Sequence, residues 1–216
     1  MNSQQLNRNV LTDQLYTILK EKILSHALSA GDKINIDELA RNYCISNIPI
    51  REALFRLVSG GFVRNVPYKG MFVADMNLKD IDEIFEIRTQ LEELSLRKAA
   101  PKIPKVLLQS IIEAMIRNLG KLQEDKEEAV IAQLNYDLHG TILSYADNQN
   151  LESYVTTLIE RIHRYLNLVH YKIDINAEKE EHIEIVQALL ADDIEKAVLA
   201  MRRHIENSHE RLRLNF

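Results

Sequence analysis

Asp75 divides this chain into two kinds of sequence, and that division limits the folds open to it. Before it, helical stretches alternate with glycine-marked breaks and end in two short β-type runs. After it, apolar residues recur at helical spacing in six segments, at about 78–100, 106–123, 127–146, 151–171, 177–191 and 193–213. Pro101-Lys102-Ile103-Pro104 and Asp147-Asn148-Gln149-Asn150 separate them, and Asp192 with Glu195 three residues on reads as a capping box opening the last. No strand pattern survives beyond Asp75, so an all-α helical bundle is expected there. With only 6 Gly, 4 Pro and no Trp in 216 residues, a loop-rich β sandwich or barrel is excluded.

The first part has its own plan. Leu15, Ile18, Leu19 and Ile23 form one helical stripe in a segment from about Val10 to Leu28, closed by Gly31-Asp32. Lys33-Ile34-Asn35 reads as a short extended link, and a second helix spans Asp37 to about Tyr43. A third starts at Ser46 as N-cap, tolerates Pro49 in its first turn, buries Ile50, Leu54, Leu57 and Val58, and stops at Gly60-Gly61. Residues 62–66 and 71–74 read as strands joined by Pro67-Tyr68-Lys69-Gly70. Three helices and a β-hairpin make a winged helix-turn-helix. The fold class is therefore mainly α: a winged helix-turn-helix over residues 1–75 and an all-α bundle over residues 76–216.

Charge follows the same division. Residues 1–75 carry 9 Lys and Arg against 7 Asp and Glu, whereas the remainder carries 18 against 25. A net of +2 on the small module offsets the chain's overall −5 as an argument against nucleic acid. No apolar run reaches 18 residues, so no transmembrane helix and no membrane partner are expected. The N-terminus has no basic stretch followed by an apolar one, and the single cysteine, Cys44, fits a reducing cytoplasm. Cys44 stands in the turn between the second and third helices, where a small apolar residue is expected to pack.

In a helix-turn-helix the second helix of the motif enters the major groove, led by its N-terminal residues. Here these are Ser46, Asn47 and Arg51, the last two sharing a face at a spacing of four. Arg suits guanine O6/N7 or phosphate, and Asn suits adenine or phosphate. Tyr68 and Lys69 at the hairpin tip are placed to reach an adjacent groove or the backbone. Each residue taken singly is also what a solvated surface would carry; the arrangement is what favours DNA.

The run Leu39–Leu54, with Ser46-Asn47-Ile48-Pro49-Ile50-Arg51-Glu52-Ala53-Leu54 at its end, resembles the LGVSRTPVREAL signature of GntR-family bacterial transcription regulators. Arg56 to Val63 and Lys69-Gly70 continue the match, and Asp82 to Glu92 resembles the opening of the all-helical FCD effector domain. The resemblance covers essentially the whole chain. It implies a cytoplasmic homodimer that binds a palindromic double-stranded DNA operator, represses in the commonest case, and responds to a small-molecule effector. Asn47 stands where the family usually has Arg, which implies an altered operator preference.

The second part contributes inward polar groups. His139, His182 and His204 fall in phase with the apolar stripes of three different helices, and facing helices of a bundle are where ligands converge. The resemblance places these three on the histidine positions of a divalent-metal set, with Asn135, one turn before His139, in the place of the usual Asp. Imidazoles suit Zn²⁺ or Ni²⁺, and a neutral amide is a poorer fourth ligand than a carboxylate. Either three histidines hold a weaker metal, or the site is metal-free and offers the same groups to an anion. Ile84, Ile87, Leu91 and Leu94 are expected to form a buried stripe with Arg88 in its arc. An inward Arg needs a partner, either a carboxylate on a neighbouring helix or an organic-acid effector gripped by Arg88 and the metal together, with Arg88 and Asn135 as the candidate effector-site residues. His163 and His170, seven apart, share a helix face without joining this set.

Two other classes remain open to the sequence. A metal-dependent enzyme would use the histidines with an open position, but no carboxylate is identifiable as a general base and the winged helix would have no purpose. A ligand-independent DNA binder leaves the inward Arg and His groups unexplained. The expectation is a regulator, not an enzyme.

Overall fold

A computed structural model describes residues 8–118, 136–169 and 175–216. The chain divides into two compact units: Met1–Asn77 with Ile159–His170, and Leu78–Leu158 with Tyr171–Phe216. The fold is mainly helical with one two-stranded antiparallel sheet, as expected.

In the first unit α1 spans Arg8–Leu24, α2 Ile36–Tyr43 and α3 Asn47–Ser59, followed by β1 (Val63–Val66) and β2 (Gly70–Val73). Leu15, Leu19 and Ile23 of α1 meet Ile50, Leu54 and Leu57 of α3 in one core, which Phe62, Val63, Met71 and Val73 of the hairpin close. α1 ends four residues earlier than its apolar pattern suggests. His26 takes a left-handed φ of 59°, and the Leu28 amide turns back to the Lys22 carbonyl at 2.9 Å. The Lys33–Asn35 link pairs with β2, since the Ile34 amide donates to the Met71 carbonyl at 2.8 Å and the Val73 amide to the Asp32 carbonyl at 2.9 Å. Asn35 caps α2 through the Glu38 amide. Ser46 occupies the N-cap position of α3, but its side chain makes no capping bond.

The boundary at Asp75 leaves out a segment that belongs with this unit. The distal half of α7 (Gln149–Val169) contributes Arg164, whose Nη2 donates to the Ala74 carbonyl at 2.8 Å. Asn167 donates to the Leu24 carbonyl at 3.0 Å, and Lys20 pairs with Glu160 at 2.6 Å. Helical periodicity says where α7 lies but not which body each of its turns packs on.

The second unit contains α4 (Leu78–Ala99), α5 (Lys105–Asn118), a π-helical turn at Tyr136–Gly140, α6 (Thr141–Ala146), the first half of α7, α8 (Ile175–Leu190) and α9 (Ile194–Asn215). α4 and α9 run antiparallel, tied by Asp82–Arg213, Glu93–Arg202 and Arg97–Glu195. Asp193, not Asp192, caps α9 by accepting from the Lys196 amide at 3.0 Å; Asp192 adopts a left-handed φ of 58°. The expected face of α4 is also displaced. Ile81, Ile84, Phe85, Arg88, Glu92, Leu96 and Ala99 are buried, whereas Ile87 is 53% and Leu94 46% exposed. Polar residues occupy the middle of the inward face, so counting apolar positions points to the wrong side.

Cys44 is exposed rather than packed, and it closes α2 in the left-handed region at φ 54°. A residue with a Cβ costs about 1–2 kcal/mol there. Cys44→Gly is expected to stabilise the first unit by about 0.5–1 kcal/mol after glycine's entropic loss, read as a higher denaturation midpoint.

Candidate functional site

The recognition surface is built from α2, α3 and the hairpin. Buried Ile50, Ala53, Leu54 and Leu57 fix which side of α3 faces the core, so Arg51 stands on the exposed side. Ser46 is exposed beside it. Asn47 is half-buried, and its Nδ2 donates to Asp37 Oδ1 at 2.8 Å. Its amide is thus already engaged by α2. At the hairpin tip Tyr68 is fully exposed in a left-handed φ of 62°, with exposed Lys69 next to it. These conformations are sparsely populated for residues other than glycine, and such strain concentrates at binding sites.

In the second unit the three histidines converge. His139 comes from the π-helical turn, His182 from α8 and His204 from α9, and all are buried. Ring centroids lie 4.5 Å apart for His182 and His204, and 5.3 Å from each of these to His139. One ligand nitrogen from each lies within 4.8 Å of the other two. His139 is presented by the π-helical turn that leads directly into α6.

Carboxylates orient two of the rings. His139 Nδ1 bonds Glu92, and His204 Nδ1 bonds Glu181 Oε2 at 2.7 Å. A neutral imidazole donating from Nδ1 keeps its lone pair on Nε2, so both rings present that atom inward. His182 Nε2 lies 3.2 Å from His204 Nε2. His139 Nε2 and His182 Nδ1 are buried and have no hydrogen-bond partner among the described residues. Burial lowers the pKa of His139 against the opposing pull of Glu92. It pushes His182 well below the ordinary imidazole value, helped by the charges of His204 and His139. Neutral imidazoles are the form that ligates metal.

Arg88 is inward and buried, as the sequence implies, but its partner is on its own helix. Nε bonds Glu92 Oε1 at 2.5 Å, one turn away, instead of a carboxylate from a neighbouring helix. Burial pushes the Glu92 carboxyl up, yet the charges of Arg88 and His139 and the hydrogen bonds from both hold it well below the usual carboxylate range. Across the site Arg211 bonds Glu178 at 2.6 Å and Glu181 at 2.9 Å. Burial raises Glu181, but hydrogen bonds from His204, Arg211 and Asn207 outweigh it and hold that carboxyl at about 2. Glu178, Glu181 and His204 also approach metal-ligand spacing, but Arg211 already compensates the two carboxylates.

The sequence reading missed Glu92, Glu178, Glu181 and Arg211. Glu92 stands four residues after Arg88 and Glu178 four before His182, one turn in each case, which is the pattern that could have found them. Asn135 and His170 lie outside the described residues. His163 lies in the first unit, apart from the histidine cluster.

A model of the FCD domain matches residues 83–207, and one of the gntR family of bacterial regulatory proteins matches residues 11–73. The HTH-type transcriptional regulator YdhC of Bacillus subtilis (strain 168) is 27% identical over 203 residues, covering 93% of this chain and 90% of its own. The HTH-type transcriptional repressor RspR of Escherichia coli (strain K12) is 23% identical over 210 residues, covering 94% and 89%. The E. coli McbR/YncC structure superposes with a TM-score of 0.74 at 24% identity over 99% of both chains. Among the described residues no helix is long and apolar enough to cross a membrane.

Removing one member of the buried Arg88–Glu92 pair strands the other. Glu92→Leu is expected to destabilise the second unit by about 3–5 kcal/mol, and the double variant Arg88→Met, Glu92→Leu by less than the sum of its parts. Guanidinium unfolding of the four proteins reads this coupling.

Proposed function

The chain belongs to the gntR family of bacterial regulatory proteins and carries an FCD domain, and from that premise we propose how this transcriptional regulator works. It binds a palindromic operator as a homodimer, represses, and changes its operator affinity when a small organic acid enters the helical unit. The observation carrying the effector reading is the set of three buried histidines, two of which leave a ring nitrogen without a partner among the described residues. That donor set fits a divalent ion such as Zn²⁺ or Ni²⁺. A metal held by His139, His182 and His204 would supply a Lewis-acidic position for a carboxylate.

The chain's own groups define the rest. Glu92 and Glu181 hold two imidazoles in the ligating tautomer, and neither is needed as a metal ligand itself. Glu92 takes Arg88 Nε, so an organic acid would use the η nitrogens of that fork. Asn135 would add an amide, a weaker contribution than the carboxylate usual at its position.

Binding DNA falls to Ser46, Arg51, Tyr68 and Lys69, with Asn47, whose Nδ2 is held by Asp37, contributing through its remaining amide oxygen. One module of net charge +2 makes few cationic contacts, and pairing two on one duplex multiplies them through effective concentration. For self-association the exposed Ile87 and Leu94 of α4 offer an apolar stripe. Leu199 of α9 is exposed too, in helical phase with Glu195 and Arg202, which pair with Arg97 and Glu93 of α4.

Two measurements test this reading. Mass spectrometry of the untagged protein is expected to find about one equivalent of zinc or nickel per chain, lost in His204→Ala; absence of metal after loading and dialysis would leave only the anion-binding form. Arg51→Ala is expected to weaken operator binding roughly tenfold or more in a gel shift. Full affinity in that variant would overturn the assignment of α3 as the reading helix.

A further inference from the structure

Isoleucine is an unexpected residue on the leading turn of a helix that reads DNA. Ile48 is the second residue of α3, and 54% of its surface is exposed. Its neighbours Pro49 and Ile50 turn into the core, so the exposure is set by the helix and not by a loose end. Arg51, one turn on, is also exposed, so the two side chains share a face. Phe55 is exposed as well, but stands more than two turns from the N-terminus, beyond the positions that a recognition helix brings to base edges.

The polar neighbour is otherwise employed. Asn47 would be the adenine reader by side-chain type, yet its amide nitrogen donates to Asp37 of α2. Beyond the Ser46 hydroxyl at the N-cap, the leading turn therefore presents an aliphatic group and a guanidinium. On the major-groove edges of the four base pairs only one alkyl group is presented, the C5-methyl of thymine.

We propose that Ile48 determines specificity by packing on the C5-methyl of one thymine in each half of the duplex site, while Arg51 engages a neighbouring guanine or phosphate. The proposal rests on the reading of the chain as a DNA-binding regulator. It gives the first turn of α3 a readout by burial, where a hydrogen-bonding side chain at position 48 would read by donor and acceptor pattern.

The test uses the purified full chain. A duplex is selected from a randomised pool, and each of its thymines is then replaced singly by deoxyuridine, which lacks only the methyl group. Binding is followed by fluorescence anisotropy. One position per half-site is expected to lose about three- to tenfold in affinity, the size of one buried methyl contact. Ile48→Ala, checked for folding by circular dichroism, is expected to bind the thymine and uracil duplexes equally. A flat uracil scan on a tightly bound duplex overturns the proposal while leaving the regulator reading in place. So does a sensitive position that stays equally sensitive in Ile48→Ala, since another residue then reads the methyl. Failure to enrich any duplex, with Arg51→Ala indistinguishable from wild type, removes the DNA-binding reading and this proposal together.

Discussion

Charge compensation in a dry interior governs the second unit. Arg88, Glu92, Glu178 and three histidines are all buried there, and an unpaired ion in such surroundings is strongly disfavoured. The groups resolve this in two arms. Arg88 neutralises Glu92, which accepts from His139; Arg211 neutralises Glu178 and Glu181, the latter accepting from His204. Each arm runs from a guanidinium through a carboxylate to an imidazole, and the two imidazoles form a triangle with His182 as its third corner. Replacing such buried ion pairs by hydrophobic residues of similar size is often neutral or stabilising, so the polar interior is not what stability alone requires.

The two arms also explain which parts of the sequence were legible. The winged helix could be traced because each of its boundaries has a local chemical marker. Asn35 caps α2, Pro49 sits in the first turn of α3, and Gly70 takes the positive φ that the hairpin needs. Three inward histidines could likewise be placed, since each is in phase with a strong apolar stripe. The inward side of α4 could be placed only in part. Ile84 and Arg88 point inward as the expected stripe implies, but Glu92 and Ser95 are polar positions that a hydrophobicity pattern assigns to solvent, while Ile87 and Leu94 look like core and face outward. A helix serving a buried polar site inverts the usual rule, and the pattern of one chain does not announce the inversion.

The carboxylates were missed for a related reason. Glu92 and Glu181 are ordinary helix-surface residues by type, and their function depends on partners far away in sequence: 47 residues separate Glu92 from His139, and 23 separate Glu181 from His204. Spacing within one helix supplies half of such a set, and packing supplies the other half. In the first unit, the Asp37–Asn47 bond is similar in kind. The type of residue 47 suggests base recognition, and only the placement of α2 shows its amide already engaged.

The distal half of α7 has a practical meaning for anyone who would exchange modules between regulators of this kind. Residues 159–170 lie more than eighty positions after the winged helix, yet Arg164 satisfies the carbonyl of Ala74 and Asn167 that of Leu24. A reading head excised at Asp75 would leave those acceptors to water and remove the ion pair at Lys20. The portable piece is therefore discontinuous. A working chimera must transplant one turn-rich stretch of a distant helix together with the head it supports, or supply substitutes for each lost bond on the new host.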